Sequence, residues 1–168
     1  MKRISFSTDI NASPEKVWKA LWDDANYRDW TSAFTEGSHA RTDGWKEGSR
    51  VHFLNPKGQG MYSNVEKHVP NRLMAFEHLG EIKDGKEQAV NEKWAGAKEI
   101  YTLEENDGHI DLKVDLDTEE EYAEMMSTAF AKALARVKEI SEEGGTTKRS
   151  IRKFPIPYQR PRSSAMFT

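Results

Sequence analysis

The chain has 168 residues, no cysteine and a formal net charge of −3 at pH 7. This length can bury one domain core, and the missing cysteines exclude disulfides, thiolate nucleophiles and cysteine-based metal sites. Residues 1–145 carry 19 basic and 28 acidic side chains, which argues against nucleic-acid binding, and no apolar run is long enough for membrane insertion. We expect a cytoplasmic protein.

The first predicted elements are a strand and a capped helix. Apolar and polar residues alternate over residues 4–10, which is the period of a half-buried strand. Ser13 is a good helix N-cap, and Pro14 fits the first helical turn because an N–H there would have no helical partner. Trp18 and Trp22 then repeat at helical spacing. A helix beginning after Ser13 follows from these signals.

The middle of the chain alternates strand patterns with turns. A second short helix is predicted over residues 26–30. Strand patterns follow over residues 34–40, 49–54, 61–69, 73–79, 99–105 and 109–117. The last two form the clearest hairpin, because residues 110–116 alternate strictly and an Asn-Asp-Gly turn separates the strands. Residues 81–97 are charged and irregular, and we predict a loop with a helical turn there.

A long amphipathic helix closes the predicted domain. Thr118 and Glu121 have the spacing of a capping box, and the glycine pair at 144–145 is a stop signal. Apolar residues recur between them every three or four positions, which predicts a helix of roughly 25 residues that packs on the sheet. The stripe contains Tyr122, Met126, Ala129, Ala133, Val137 and Ile140, flanked by Met125, Phe130 and Leu134.

The predicted fold class is α+β. One or two short helices follow the first strand, and an antiparallel sheet of about six strands leads to the long C-terminal helix. We assign residues 1–145 to a single domain. Residues 146–168 contain six basic and no acidic side chains and lose periodicity at three prolines, so we expect a disordered basic tail.

Two stretches resemble one known superfamily. Residues 12–18, A-S-P-E-K-V-W, resemble the start of START/Bet v 1-like (SRPBCC) proteins, in the branch similar to the C-terminal domain of the activator of Hsp90 ATPase. Residues 94–103, W-A-G-A-K-E-I-Y-T-L, resemble a stretch of bacterial members of that branch. The resemblance implies a helix-grip fold, in which a curved sheet wraps the C-terminal helix around a hydrophobic cavity. Members bind lipids, sterols or plant hormones, cyclise polyketides, or assist Hsp90.

Ten residues are candidates for the lining of that cavity. They are large rings, one flexible methionine and one histidine, the side-chain types that are common in ligand pockets. The candidates are Trp30, Phe34, Phe53, Phe76, His78, Trp94, Tyr101, Tyr122, Met126 and Phe130. For each ring the competing interpretation is ordinary core packing.

The titratable side chains on strands leave the chemistry open. A cavity His78 could bind a polar group of a ligand or act as a general base, and a hydrogen-bonded structural histidine is the alternative. Glu66, Glu77 and Glu99 lie on strands, and alternation alone does not show which of them points inward. No histidine or carboxylate has metal-ligand spacing, so we predict no metal site, no cofactor and no catalytic residue.

Three functions remain in competition. The leading hypothesis is non-enzymatic binding of a small hydrophobic or amphipathic molecule between the sheet and the C-terminal helix. A cyclase or aromatase-like enzyme would instead use cavity His and Glu side chains, and it predicts a facing polar pair with at least one shifted pKa. A chaperone-associated interaction module predicts an exposed patch and little internal volume. A protein partner is possible, but no residue pattern supports one.

Overall fold

Residues 1–143 are described by the computed structural model, and they contain eight strands and three α-helices. In chain order these are β1 Lys2–Ile10, α1 Pro14–Trp22, α2 Asp24–Thr31, β2 His39–Thr42, β3 Arg50–Leu54, β4 Gly60–Val69, β5 Leu73–Lys83, β6 Lys86–Val90, β7 Lys98–Asn106, β8 His109–Thr118 and α3 Ala123–Glu143. The predicted tail 146–168 and the glycine stop at 144–145 lie outside the described residues.

All eight strands form one antiparallel sheet. Its order is β1-β8-β7-β5-β4-β3-β2, and β6 pairs with β5 beside this path. The helix α3 packs against β1, α1 and α2. The alternating residues Ile110, Leu112, Val114 and Leu116 of β8 are buried on the same side, which we call the inner face. The predicted α+β helix-grip fold is confirmed.

The start of α1 follows the predicted chemistry. The Ser13 hydroxyl accepts a hydrogen bond from the Lys16 backbone N–H at 3.2 Å, and Pro14 opens the helix. Val17 and Leu21 are fully buried, so one side of α1 enters the core. Both short helices allowed by the sequence are present, and α2 follows α1 after Asp23 alone.

The prediction of a loop over residues 81–97 was wrong for its first half. There β5 continues to Lys83, Asp84 and Gly85 turn with φ of +52° and +76°, and β6 returns beside β5. Positive φ at both turn residues is typical of a tight hairpin. All five residues of β6 are exposed, so no alternation of apolar and polar residues marks this strand.

The second strand begins later than predicted. The interval 34–40 was expected to be extended, but the Phe34 backbone N–H still bonds to the Thr31 carbonyl at 2.9 Å, and β2 begins only at His39. Phe34 therefore belongs to the turn that ends α2. This places its ring beside α3 rather than in the sheet.

The C-terminal helix begins later than the apolar stripe predicts. Thr118 ends β8, where it is paired with Lys2, and a single 3-10 turn at Glu120–Tyr122 precedes the 21 residues of α3. The predicted capping box is not formed there. Met125 is 60% exposed, so the stripe faces the core only from Met126 onward. None of the helices in the described part of the chain has the length and apolar character of a membrane span.

Candidate functional site

A cavity of about 330 Å³ lies between α2, the inner face of the sheet and the first half of α3. Its lining residues are Tyr27, Trp30, Thr31, Phe34, Thr35, Ser38, Phe53, Leu54, Asn55, Gln59, Gly60, Met61, Glu99, Tyr101, Met126 and Phe130. The volume is near the lower end of the range for small-molecule sites. The cavity therefore suits a compact ligand.

The deep walls of the cavity are aromatic and rigid. Trp30, Tyr101 and Phe130 are each at most 2% exposed. The Trp30 indole N–H donates to the Leu21 carbonyl at 3.0 Å, which fixes the ring of α2 against α1. The Phe130 ring of α3 meets the Phe34 ring edge-on, with centroids 4.8 Å apart. These contacts hold the apolar surface in place before any ligand arrives.

The mouth of the cavity lies between two loops. Thr35 follows α2 and Gln59 precedes β4, and both are exposed while lining the cavity. The loops touch at Gly37, where an added Cβ would lie 2.3 Å from the Pro56 ring. Gly37 also has φ of +83°, so a residue without a Cβ is required there for both reasons. The two loops therefore border the opening of the cavity.

A chain of hydrogen-bonded side chains runs from the sheet interior to the cavity wall. Ser63 Oγ of β4 lies 2.6 Å from His78 Nδ1 of β5, and His78 Nε2 lies 3.0 Å from Glu99 Oε1 of β7. The Tyr101 hydroxyl donates to the other Glu99 oxygen. Ser63, His78 and Tyr101 are buried, and the Glu99 side chain is 20% exposed. Glu99 is the residue of this hydrogen-bonded chain that brings a carboxylate to the cavity lining.

The side-chain chemistry identifies the donor in the hydrogen bond between His78 and Glu99. An ionised carboxylate only accepts hydrogen bonds, so Nε2 of His78 is the donor in the 3.0 Å contact with Glu99. The Ser63 hydroxyl is the partner of the other ring nitrogen, Nδ1. Each buried polar atom of the histidine has a partner, which removes the desolvation cost of an unpaired imidazole.

Two phenols next to Glu99 stay protonated at neutral pH. Burial raises the pKa of Tyr101 well above its ordinary value, and the charge of Glu99 raises it further. Burial and the same carboxylate also raise the pKa of Tyr27. Both hydroxyls therefore remain hydrogen-bond donors rather than phenolates. This end of the cavity combines one carboxylate with two neutral phenols, and the Tyr101 phenol already donates to the carboxylate.

The structure brings six of the ten sequence candidates to this cavity: Trp30, Phe34, Phe53, Tyr101, Met126 and Phe130. Phe76 is buried behind them, with its ring 5.2 Å from that of Phe53. His78, Trp94 and Tyr122 instead line a neighbouring depression of about 570 Å³, which shares Gly60 and Met61 with the cavity. The assignment of these residues to a ligand stays a prediction.

The structure also answers which strand carboxylate points inward. Glu99 does so, whereas Glu66 and Glu77 both pair with the Lys98 ammonium, at 2.5 and 3.7 Å. Sequence reasoning missed Ser63 and Tyr27. Ser63 stands between Met61 and Val65 on the inner face of β4, and Tyr27 precedes Trp30 by three positions on α2, so periodicity contained both signals.

One group of side chains in the described residues has donor atoms close enough for a metal ion. Asp9, His109 and Asp111 meet where β1 passes the start of β8. His109 Nε2 lies 2.9 Å from an Asp9 oxygen and 3.6 Å from an Asp111 oxygen. The group is on the surface, and the contacts of the imidazole with the two carboxylates account for the arrangement. None of the three residues lines the cavity.

Comparisons with known proteins identify the family of this fold. The profile of a family described as "Polyketide cyclase / dehydrase and lipid transport" matches residues 1–142. A comparison with curated proteins found no match.

Solved structures with the same fold come from several bacteria. The Aha1 dimer from Colwellia psychrerythraea, solved in solution, is 24% identical with a TM-score of 0.66, and the match covers 87% of this chain and 100% of that one. CalU16 from Micromonospora echinospora is 15% identical with a TM-score of 0.60, over 84% of this chain and 66% of that one. A protein from Chromobacterium violaceum is 16% identical with a TM-score of 0.60, over 84% of this chain and 99% of that one.

These findings confirm the superfamily predicted from the sequence, and they confirm the likeness to the Aha1 branch at the level of the fold. The matched interval includes every strand and nearly all of α3. The chain belongs to the polyketide cyclase/dehydrase and lipid transport family, which is of the SRPBCC type, and it has the ligand-binding fold of that family.

Proposed function

We propose that this protein binds a small amphipathic molecule in the cavity between α2, the sheet and α3, without transforming it. The observation that carries the proposal is that aromatic rings and one carboxylate line the same cavity. Trp30, Phe34 and Phe130 supply apolar surface, and Glu99 with its hydrogen-bonded partners supplies the polar end. Burial of the apolar part of a ligand would supply most of the affinity, and the polar end would fix its orientation.

The shape of the site supports binding in preference to a docking surface for proteins. An interaction module needs an exposed apolar patch, whereas here the aromatic rings line a concave cavity of about 330 Å³. The rings that line the cavity are held by one another and by the Trp30 hydrogen bond. A preorganised pocket loses little side-chain entropy when a ligand enters.

Two neighbouring methionines of α3 provide the test. Met126 lines the cavity, while Met125 is 60% exposed and does not line it. In Met126→Trp the larger ring would occupy the cavity, and in Met125→Trp it would lie in solvent. The probe is naphthalenemethanol, and its binding is measured by isothermal titration calorimetry. We expect it to bind the natural protein and Met125→Trp but not Met126→Trp.

Native mass spectrometry of freshly purified protein gives an independent readout. A small molecule that copurifies with the natural protein and with Met125→Trp, and is missing from Met126→Trp, would support the proposal. Equal binding of the probe to both variants would contradict it, because the ligand would then lie outside the cavity. Circular dichroism of each variant shows whether the fold is kept.

A cyclase-like enzyme is the second candidate, and the Ser63–His78–Glu99 chain favours it. Glu99 faces the cavity with acceptor oxygens, and hydrogen bonds from His78 and Tyr101 hold its carboxylate in position. Glu99 would take a proton from the carbon beside a ligand carbonyl, and the electron pair of that C–H bond would move to the carbonyl oxygen to give an enolate. Cyclisation chemistry of this kind needs the enolate carbon as its nucleophile.

Proton exchange distinguishes the enzyme from the binding protein. β-Tetralone, a bicyclic ketone, incorporates deuterium beside its carbonyl when it passes through an enolate in deuterium oxide. An enzyme would accelerate this incorporation, and Glu99→Gln would abolish the acceleration. Proton NMR measures the rate of incorporation. A binding protein would take up the ketone and leave the exchange rate at that of buffer.

A further inference from the structure

The charge distribution of the cavity points to a class of ligand. We infer that the molecule bound here has a neutral or cationic hydrogen-bond donor, such as a hydroxyl or an ammonium group, at its polar end, and that carboxylates are excluded. This inference rests on the proposed function, because it concerns the same cavity. It separates the ligand from fatty acids and other apolar molecules that end in an anion.

The first argument is the charge on the wall. Among the described residues that line the cavity, Glu99 has the only charged side chain. The nearest lysine in sequence, Lys98, points away from it and is engaged by Glu66 and Glu77. No arginine or lysine of the described lining could pair with a ligand carboxylate. An anion in this cavity would meet Glu99 without a compensating cation on the cavity wall, which is unfavourable.

The second argument is the hydrogen-bonding capacity that Glu99 has left. A carboxylate has about four acceptor positions on its two oxygens. His78 occupies one on Oε1, and the Tyr101 hydroxyl occupies one on Oε2. Each oxygen therefore keeps an acceptor position, and the residue borders the cavity. A ligand must bring a donor to use them.

The pKa values of two tyrosines show the same charge acting within the site. The charge of Glu99 raises the pKa of both Tyr27 and Tyr101, in addition to the effect of burial. A raised phenol pKa means that a second negative charge at this end of the cavity is disfavoured. The same field that keeps these phenols neutral would act on an anionic ligand.

His78 does not reverse this argument. It lies behind Glu99, with Nδ1 bonded to Ser63 and Nε2 bonded to the carboxylate, and it borders the neighbouring depression instead of the cavity. Both ring nitrogens are committed inside the protein. A ligand in the cavity therefore meets the carboxylate before it meets the imidazole.

Four naphthyl compounds test the inference with one carbon skeleton. Naphthalenemethanol, naphthylmethylammonium and naphthoate differ in the group on one exocyclic carbon, and methylnaphthalene has no polar group. Isothermal titration calorimetry at neutral pH should rank the alcohol and the ammonium ahead of naphthoate by at least about tenfold in Kd. The natural protein alone gives this ranking, so the test does not depend on any variant.

Two isosteric variants then assign the effect to one carboxylate. In Glu99→Gln the ammonium should bind more weakly relative to the alcohol than it does in the natural protein, and naphthoate should gain about tenfold relative to the alcohol. Glu66→Gln removes the same charge outside the cavity lining and should leave the ranking unchanged. Methylnaphthalene should bind all three proteins, which shows that the cavity is intact.

The outcomes separate the two proposals. If methylnaphthalene binds and naphthoate binds as tightly as the alcohol, the ligand class is wrong and cavity binding stands. If Glu66→Gln changes the ranking as much as Glu99→Gln, the effect comes from net charge and the assignment to Glu99 is overturned. If none of the four compounds binds, the proposed function fails, and the inference fails with it.

Discussion

The Arg136 guanidinium of α3 binds both carboxylate oxygens of Asp29 on α2, at 2.8 and 2.7 Å. Both side chains are about four-fifths buried, at 20% and 19% exposure. The pair joins α2, which carries Trp30, to α3, which carries Phe130. It therefore helps to set the separation of two cavity walls. A planar fork on a carboxylate also fixes the relative orientation of the helices.

Loss of this fork should destabilise the protein more than loss of an ordinary surface ion pair. We expect Arg136→Met to lower the free energy of unfolding by about 1–3 kcal/mol, measured by urea denaturation. Arg136→Lys keeps the charge but not the two parallel hydrogen bonds, so it should recover only part of the loss. The exposed Arg28–Asp24 pair is the control, and Arg28→Met should cost less than about 1 kcal/mol.

Gly60 should tolerate no side chain. A Cβ there would lie 1.8 Å from the Phe53 carbonyl oxygen on the neighbouring strand, so β3 and β4 would have to separate. We expect Gly60→Ala to lower the unfolding free energy by about 3 kcal/mol. Gly85→Ala is a matched control, because Gly85 has open space around it and only its φ of +76° resists a side chain, at about 1–2 kcal/mol. A smaller loss for Gly60→Ala than for the control would contradict the prediction.

His78 and Ser63 should behave as one unit. Replacement of His78 by Phe keeps a ring of similar shape but leaves the buried Ser63 hydroxyl and one Glu99 oxygen without their partner, so we expect a loss of about 2–3 kcal/mol. Ser63→Ala should cost about 1 kcal/mol in the natural protein and almost nothing in the His78→Phe background. Purely additive losses in a double-mutant cycle would show that the hydrogen bond contributes no coupling.

Asp117 should make stability depend on pH in the acid range. The hydrogen bond from Arg3 lowers the pKa of Asp117, and the Lys98 backbone N–H also lowers it. A carboxyl with a lowered pKa in the folded state stabilises the fold above its unfolded pKa and loses this contribution as pH falls through the folded value. Asp117→Asn should therefore be less stable than the natural protein at neutral pH, by about 1 kcal/mol, and the difference should shrink below pH about 4. Urea denaturation at a series of pH values measures both curves, and a constant difference would contradict the assignment.

Local chemistry explains why much of the fold could be predicted. The Ser13 cap and the alternation of β8 are encoded within a few residues, and both are present. β6 could not be read in this way because it is exposed along its whole length. The capping box at Thr118 failed for a different reason. Its backbone pairs with Lys2 at the far end of the chain, and no local pattern reports such a partner.

The candidate site was less predictable because bulges interrupt the alternation of the sheet. Glu66 is the extra residue where the pairing of β4 with β5 shifts, and Leu79 is skipped where it shifts again. A shift of one residue exchanges the two faces of a strand, so counting along β4 or β5 cannot assign every side chain. Glu99 lies on a regular strand with the same parity as Tyr101 and Leu103, and its direction was available from that pattern.

The imidazole of His78 is placed to work as an internal reporter. It is 4% exposed, bonded on both nitrogens, and separated from the cavity by a single carboxylate. Ring-nitrogen NMR resonances are sensitive to the hydrogen bonds at each nitrogen. A molecule that arrives at Glu99 should therefore change the spectrum of a histidine that it never touches, and occupancy could be followed in the natural protein with no label on the ligand.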